Sequence, residues 1–342
     1  GASDAVASVL RMVSGWFSDK LGERKRFAVL GYTLSVCTRW LLAFVATGWQ
    51  VFTLRVIDRV GKGVREAPRD ALLSVSVSDR EASRSFGFQR SLDALGGVVG
   101  PIFALLLLPV VHDDYRLFFI IASALGLLAL AAFSFVRDVR TADGLRPQNE
   151  FSSLLSLKHF TPGFKLFILA IFVFGLGYMP IALVVLRAQQ FSCCSESVPL
   201  LYLVTAIASW LFAIPAGYLA EQIGRRRTIL LGFTAATLGY AILAQSDSLG
   251  VMSVGAVLLG AYSGFTDGMQ RAFASKLLAS HHVAAGHGLL QAAIGVSSLI
   301  AGTMGGIVWT IYGSTAAFLL GGLLMAAGAT IFAAINPYKT NP

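Results

Sequence analysis

The chain has 342 residues, 56% of them hydrophobic and only 13% charged, with a formal net charge of +9 and a mean hydropathy of +0.71. Soluble domains carry roughly 25% charged residues, so a soluble globular fold is excluded. The basic excess first suggests a nucleic-acid partner, but the positions of the charges exclude that as well.

Apolar runs of about 18 residues or more mark membrane spans. Helices are predicted over residues 1–17, 27–47, 49–78, 86–109, 116–136, 164–186, 197–220, 228–246, 249–275, 286–311 and 315–335. This is an all-α, multi-pass pattern, and 35 glycines suit helices that must pack closely in lipid. The loops on one side carry sixteen basic residues, among them Lys20, Lys25, Arg84, Arg137, Arg225 and Lys276; the other side carries only Arg116 and Arg187. Such a bias places the first set in the cytoplasm, so the basic balance reports topology.

The first loop, GWFSDKLGERKR (15–26), has Gly15, Asp19, Gly22 and Arg24 in a Gly-x-x-x-acid-x-x-Gly-basic frame. The next helix contains Cys37 and a single charge, Arg39. DRVGKGVREAPRDALL (58–73) then puts seven charges into sixteen positions. Its Gly-Lys-Gly is no phosphate cradle, because the frame lacks the spaced first glycine and the following Ser or Thr. On a wheel of about 100° per residue, Arg55, Asp58, Arg59, Lys62, Arg65, Glu66, Arg69 and Asp70 share an arc of roughly 140°. Charges in lipid cost about 2.5–3.5 kcal/mol each, so this face is expected to line the bundle interior or a wet cavity. One reading is a self-neutralising ladder through Asp58–Lys62, Lys62–Glu66 and Glu66–Asp70 neighbours. The other is that the excess cations need partners elsewhere.

The helix predicted over 86–109 carries Arg90 and Asp93 ahead of GGVVGP, that is Gly96, Gly97, Gly100 and Pro101. This stretch is expected to pack helices closely and to kink at the proline. Asp93 is expected either to carry a proton or only to neutralise Arg90. The polar stretch 137–163 reads as a central cytoplasmic linker, either a surface helix around Phe151 and Leu154 or a disordered tether. Tyr178, in the helix predicted over 164–186, is a further candidate cavity residue. Cys193 and Cys194 sit in an outward loop, and no cysteine–histidine spacing fits zinc. His281, His282 and His287 read as cytoplasmic-loop residues, so neither metal nor cofactor is expected. Asp267 and Arg271 sit one turn apart on the helix predicted over 249–275. Asp267 is expected to pair with the basic wall of the helix predicted over 49–78, with Arg65 as first choice and Arg59 or Lys62 as alternatives. Asp58, Asp93 and Asp267 are the candidate proton carriers.

GYLAEQIGRRRT (217–228) repeats the first loop at an offset of 202, pairing Gly217, Glu221, Gly224 and Arg226 with Gly15, Asp19, Gly22 and Arg24. Two copies of a six-helix unit follow. The offset puts the start of the first copy 38 residues before Gly1, so the first helix and part of the second are expected to be missing from what reads as a fragment. The expected units are 1–136, a linker 137–163, and 164–342.

These halves, the linker and the repeated loop resemble the major facilitator superfamily. The stretches Asp58–Leu72, Leu186–Gln189 (LRAQ) and Thr266–Ala272 narrow the resemblance to a prokaryotic branch. The resemblance implies two pseudo-symmetric six-helix bundles, a central cavity lined by the first, fourth, seventh and tenth helices, and repeated loops that latch one conformation. It departs from the family at Glu23, Val75 and Val283, which stand where the family has other residues. GGVVGP is similar to the antiporter motif, with Ala104 replacing a further glycine. The expected protein is a monomeric secondary transporter of a prokaryotic cytoplasmic (inner) membrane. It would move a small organic molecule by alternating access, as a proton-coupled exporter or alternatively an importer of an anionic nutrient or metal chelate. No nucleophile–base pair suggests an enzyme.

Overall fold

The computed structural model describes residues 10–136 apart from 12, 19–20, 79–80 and 113, together with 160–189, 197–278 and 283–335. All regular structure among the described residues is α-helical. The first group comprises α1 (residues 10–11 and 13–18), α2 (Arg24–Leu42), α3 (Gly48–Ser76), α4 (Ala82–Val110) and α5 (Tyr115–Ser134). The second comprises α6 (Pro162–Gly177), α7 (Ile181–Gln189), α8 (Ser197–Ile223), α9 (Arg225–Gln245) and α10 (Leu249–Leu277). The last helical stretch, Val283–Ala333, breaks at Gly313 (φ 85°) into α11 (283–312) and α12 (314–333). Asp19, Cys193, Cys194, His281, His282 and nearly all of the linker lie outside the described residues.

Local chemistry starts these helices where polar side chains meet free backbone N–H groups. The Asp114 carboxylate accepts from the N–H groups of Arg116 (2.8 Å) and Leu117 (3.3 Å). Thr161 accepts from the Phe164 N–H at 3.2 Å, with Pro162 at the first helical position, where its missing N–H costs nothing. Gly22 (φ 67°) and Gly224 (φ 92°) turn the chain before α2 and α9. Both take a left-handed conformation in which a Cβ is strained, so the sequence repeat is also a repeat of backbone geometry.

One predicted helix is two. Residues 164–186 were expected to be continuous, yet the helix stops at Gly177 and resumes at Ile181. Pro180 supplies no N–H and its ring would clash with the carbonyl four residues back. The opened backbone is held by Tyr240, whose hydroxyl accepts from the Met179 N–H at 2.7 Å and donates to the Met179 carbonyl at 3.3 Å.

The two groups pack differently. α6 to α12 share one aromatic core, in which the Phe174 and Phe233 rings stack at 3.9 Å and Phe167, Phe273 and Phe332 close around one another. α2 and α3 instead meet through small residues. A Cβ on Gly31 would sit 2.6 Å from the Gly61 carbonyl oxygen, and Ser14 of α1 donates to the Gly63 carbonyl at 3.1 Å. The Gly-Lys-Gly of α3 is therefore a packing device. Among the described residues, five helical stretches are long and apolar enough to cross a membrane: Arg116–Phe133, Leu201–Ile223, Arg225–Gln245, Leu249–Leu277 and Ala285–Ala333, the last broken at Gly313.

Candidate functional site

α3 explains why its charges exist. Its 29 residues span roughly 43 Å at about 1.5 Å each, longer than the ~30 Å hydrocarbon layer, so its middle must find protein partners or water. The structure distributes the stripe over several neighbours. Arg65 turns toward α2, where its guanidinium lies 4.4 Å from the centre of the Tyr32 ring. Glu66 turns toward α1 and takes Arg11 at 2.6 Å, with Lys62 at 3.7 Å. Asp70, with no exposed side-chain surface, faces α10 and takes Arg271 at 3.3 Å; Arg69 closes on it from its own helix at 3.2 Å. Arg55 is exposed, Asp58 and Arg59 are half-buried, and the Asp58 Oδ1 is buried without a hydrogen bond. Of the expected ladder, only Lys62–Glu66 forms.

Asp267 pairs neither with Arg65 nor with the other expected partners on α3. It takes Arg90 of α4 at 2.8 Å and accepts from the Ser263 hydroxyl at 3.0 Å. Arg90 also donates to Ser263 (3.1 Å) and Ser209 (3.5 Å). The reason is reach: Arg65 is drawn aside by Tyr32, while α4 brings Arg90 directly against α8 and α10. Asp93 then does not neutralise Arg90. It stands 3.9 Å from Arg69 with 42% of its side chain exposed. The Thr266–Ala272 stretch of α10 is thus an inter-group contact surface, since Gly268 between its two charges lets the Phe86 backbone approach to where a Cβ would be 2.8 Å from a carbonyl oxygen.

These pairs form a layer. Asp70, Arg271, Arg90, Asp267, Arg11 and Glu66 all lie about two to three turns inside the helix ends that carry the basic loops. Nearer those ends Arg84 bridges to Glu221 and lies over the Tyr218 ring at 4.5 Å, and Arg225 donates to the Ser83 hydroxyl at 2.7 Å. The ion pairs Asp70–Arg271, Arg90–Asp267 and Arg84–Glu221 between the two groups all fall in this basic half. Arg69 and Arg271 are repeat mates at the 202 offset, so one carboxylate is clamped between symmetry-related arginines.

Other expectations are redrawn. Among the described residues Gly96, Gly97 and Gly100 have no neighbour within 4 Å of a built Cβ. Close packing falls instead to Gly87, whose Cβ would sit 2.9 Å from the Ala213 carbonyl oxygen, and to Gly217 opposite. His287 is no loop residue. α11 begins at Val283, earlier than the apolar run suggested, and buries His287 with its Nε2 2.9 Å from the Ser275 hydroxyl. Arg24 is buried at the start of α2, and Arg226 donates to the Ala333 carbonyl at the end of α12. Arg187 of the LRAQ stretch donates to Ser314 (2.7 Å) and to the Ser246 carbonyl (2.9 Å), tying the short α7 to the start of α12 and the end of α9. Tyr178 stands at the helix break, 5.1 Å from Tyr262 between ring centres.

A sequence model of the Major Facilitator Superfamily matches residues 5–193 and again 166–341. An uncharacterised MFS-type transporter of Methanocaldococcus jannaschii is 29% identical over 95% of this chain and 84% of its own length. A class H tetracycline resistance protein of Pasteurella multocida is 24% identical over 94% and 80%. The fold is shared with the E. coli fucose:proton symporter at a TM-score of 0.77, 14% identity, and coverage of 98% and 90%.

Proposed function

The chain belongs to the major facilitator superfamily, whose members are membrane transporters, and on that premise we propose that it is a proton-coupled exporter of a small organic molecule working by alternating access. In this reading residues 1–136 and 164–342 are the moving halves, 137–163 links them, and the basic ends face the cytoplasm of a prokaryotic cell. The observation that carries it is the ion-pair layer. The halves are tied in their cytoplasmic half by Asp70–Arg271, Arg90–Asp267 and Arg84–Glu221, which is a closed inner gate beneath an outward-facing cavity. Polar inter-half contacts can exchange partners or water when the halves rock apart, whereas an apolar core cannot reopen without loss.

Asp93 is the proton site in this scheme. Asp267 and Glu66 are each held by a close arginine, while Asp93 is open to the cavity and only loosely near Arg69. A proton on Asp93 would release Arg69, and with it one side of the clamp on Asp70. The tetracycline resistance relative supports export. An importer of an anionic solute is the second reading, favoured by the excess of cations on α3.

The test needs no known cargo. Spin labels at Glu81→Cys and Gln222→Cys report the inner ends, and labels at Val110→Cys and Tyr202→Cys report the outer ends, with Cys37, Cys193 and Cys194 replaced by serine. On acidifying proteoliposomes, double electron–electron resonance should show the inner pair lengthening while the outer pair shortens. Asp93→Asn should remove that response to pH. Distances that stay fixed, or that move in the same direction, would sink the reading.

A further inference from the structure

A buried base, His287, stands beside the ion pairs of the gate. It lies about one turn inside α11 and has no exposed surface. The Phe86 ring of α4 stands 6.0 Å from the imidazole between ring centres, and Trp16 of α1 packs on nearby Ala285. The charged groups that face the ring come from three elements: Asp70 on α3, Arg271 on α10 and Arg24 on α2. One hydrogen bond fixes the tautomer. The Ser275 hydroxyl donates to the Arg271 carbonyl at 3.0 Å, the bond one turn back that helical serines commonly make. Its single hydrogen is then committed, so toward the ring, at 2.9 Å, the oxygen can only accept. Nε2 therefore carries the imidazole hydrogen and Nδ1 keeps a lone pair. That nitrogen is buried with no hydrogen-bond partner among the described residues. The opposite tautomer would strand a buried N–H, which folded proteins tolerate less well than an under-satisfied acceptor.

A bare basic nitrogen is a place for a proton, and its neighbours decide when it can be filled. Asp70, the carboxylate facing the ring, already takes Arg69 at 3.2 Å and Arg271 at 3.3 Å. A proton on Nδ1 would add a cation to a cluster in which two arginines share one carboxylate, in a place closed to water. Charge buried without a partner of its own is costly. Parting the halves changes both conditions. Asp70 and Arg24 leave with the first half, Arg271 and His287 stay together on the second, and water reaches the ring. An imidazolium formed there is hydrated, and it opposes return to the crowded clamp.

We propose that His287 is a proton-binding site of the inner gate, filled from the cytoplasmic side only after the halves have parted, so that an acidic cytoplasm delays closure. The proposal rests on the transporter reading and adds a regulator to it. Asp93 starts the opening from the cavity, and His287 prolongs it from the other side. The order keeps the two sites distinct: with Asp93→Asn the gate stays shut and the ring stays out of reach.

Two measurements on the protein in nanodiscs test it. Nitrogen NMR of isotope-labelled histidine reads the ring itself, with the other four of the five histidines replaced by glutamine so that His287 stays native. At neutral pH the ring should show Nε2 protonated and Nδ1 bare. On acidification Nδ1 should gain its proton as the gate opens, and in Asp93→Asn it should stay bare over the same range. Double electron–electron resonance on the Glu81–Gln222 spin-label pair reads the gate. From about pH 7.5 to 5.5, where a hydrated imidazole titrates, the open-to-closed ratio should rise more steeply in the wild type than in His287→Gln. The excess is up to about ten-fold per pH unit, the limit for one proton. A proton on Nδ1 at neutral pH, a ring that titrates equally in Asp93→Asn, or the same gate profile in wild type and His287→Gln would each overturn the proposal. Those outcomes leave the transporter reading standing. Spin labels that stay fixed at every pH in all variants remove that reading, and this proposal with it.

Discussion

The two halves carry the same loop motif at a constant offset and yet are held together by opposite means. α6 to α12 enclose a single core of large side chains, with Phe164, Phe167, Phe174, Phe233, Phe318, Phe332 and Tyr240 all buried. α1 to α5 have no comparable cluster among the described residues; they are joined by glycine contacts, by Arg11–Glu66 and by Arg65 over the Tyr32 ring. Four of the five stretches apolar enough to span a membrane belong to the second half. Lipid tails are as apolar as leucine, so aromatic burial stabilises by close packing, while buried charge stabilises only where it is matched. A matched charge is also conditional, because moving one helix unmatches it. In the proposed transport cycle the second half would then serve as a scaffold and the first as the responsive wall.

The sharpest way to break this contrast is at Asp70. Asp70→Asn leaves Arg69 and Arg271 without their shared counter-ion in a fully buried place. Removing one partner of a buried pair costs about 3–5 kcal/mol. Adding Arg271→Gln should return much of that loss, since two absent charges need no partner. Phe233→Ala, in the stacked core, should cost about as much but find no such rescue from truncating Phe174 as well. Thermal unfolding in detergent reads all four variants. Rescue in the aromatic pair, or none in the charged pair, would erase the distinction between the halves.

Much of this was legible before the coordinates. The apolar runs mark the helices, the offset of 202 marks the repeat, and the crowded charges of α3 mark a wet interior. What the sequence withheld was partnership. Asp267 is one turn from Arg271, and yet the two serve different partners on different helices, Arg90 and Asp70. Such choices span about 180 to 200 residues, and helical periodicity carries no information on which face of a distant helix arrives. The break at 178–180 was visible in principle, because Pro180 follows Gly175 and Gly177 inside a predicted span. The apolar run obscured it. His287 was misplaced because α11 starts with small residues, Ala284, Ala285 and Gly286, that look like loop.

The scaffold claim sharpens at Tyr240, where one hydroxyl both accepts from and donates to the Met179 backbone. Tyr240→Phe keeps the ring and its packing and strands one buried N–H. The expected cost is about 1–3 kcal/mol, smaller than at Asp70. Hydrogen–deuterium exchange should rise at residues 178–181 and stay flat in α9. An unchanged exchange rate there would mean that the break needs no clamp and that α7 is held by Arg187 instead.

The smallest effect on stability is expected at Arg84, and its size is what makes it informative. The Arg84 side chain is 52% exposed, and exposed pairs contribute about 0–1 kcal/mol. Arg84→Gln should therefore leave the unfolding midpoint almost unchanged. Its pairing with Glu221 and its contact with Tyr218 both span the two halves, so in the proposed cycle both would part when the inner gate opens. A gate poised between two states converts small energies into populations, since about 1.4 kcal/mol is ten-fold. The open-inside fraction seen by the Glu81–Gln222 spin-label pair should rise several-fold at the pH where both states are populated. High salt should mimic the substitution in the wild type and add little to the variant, because screening removes what the variant already lacks. A fall in unfolding midpoint as large as that of Asp70→Asn would place Arg84 in the folded core and not in the gate. An unaltered population would show that the inner gate is held by the buried layer alone, with the outer ring of charge serving only topology.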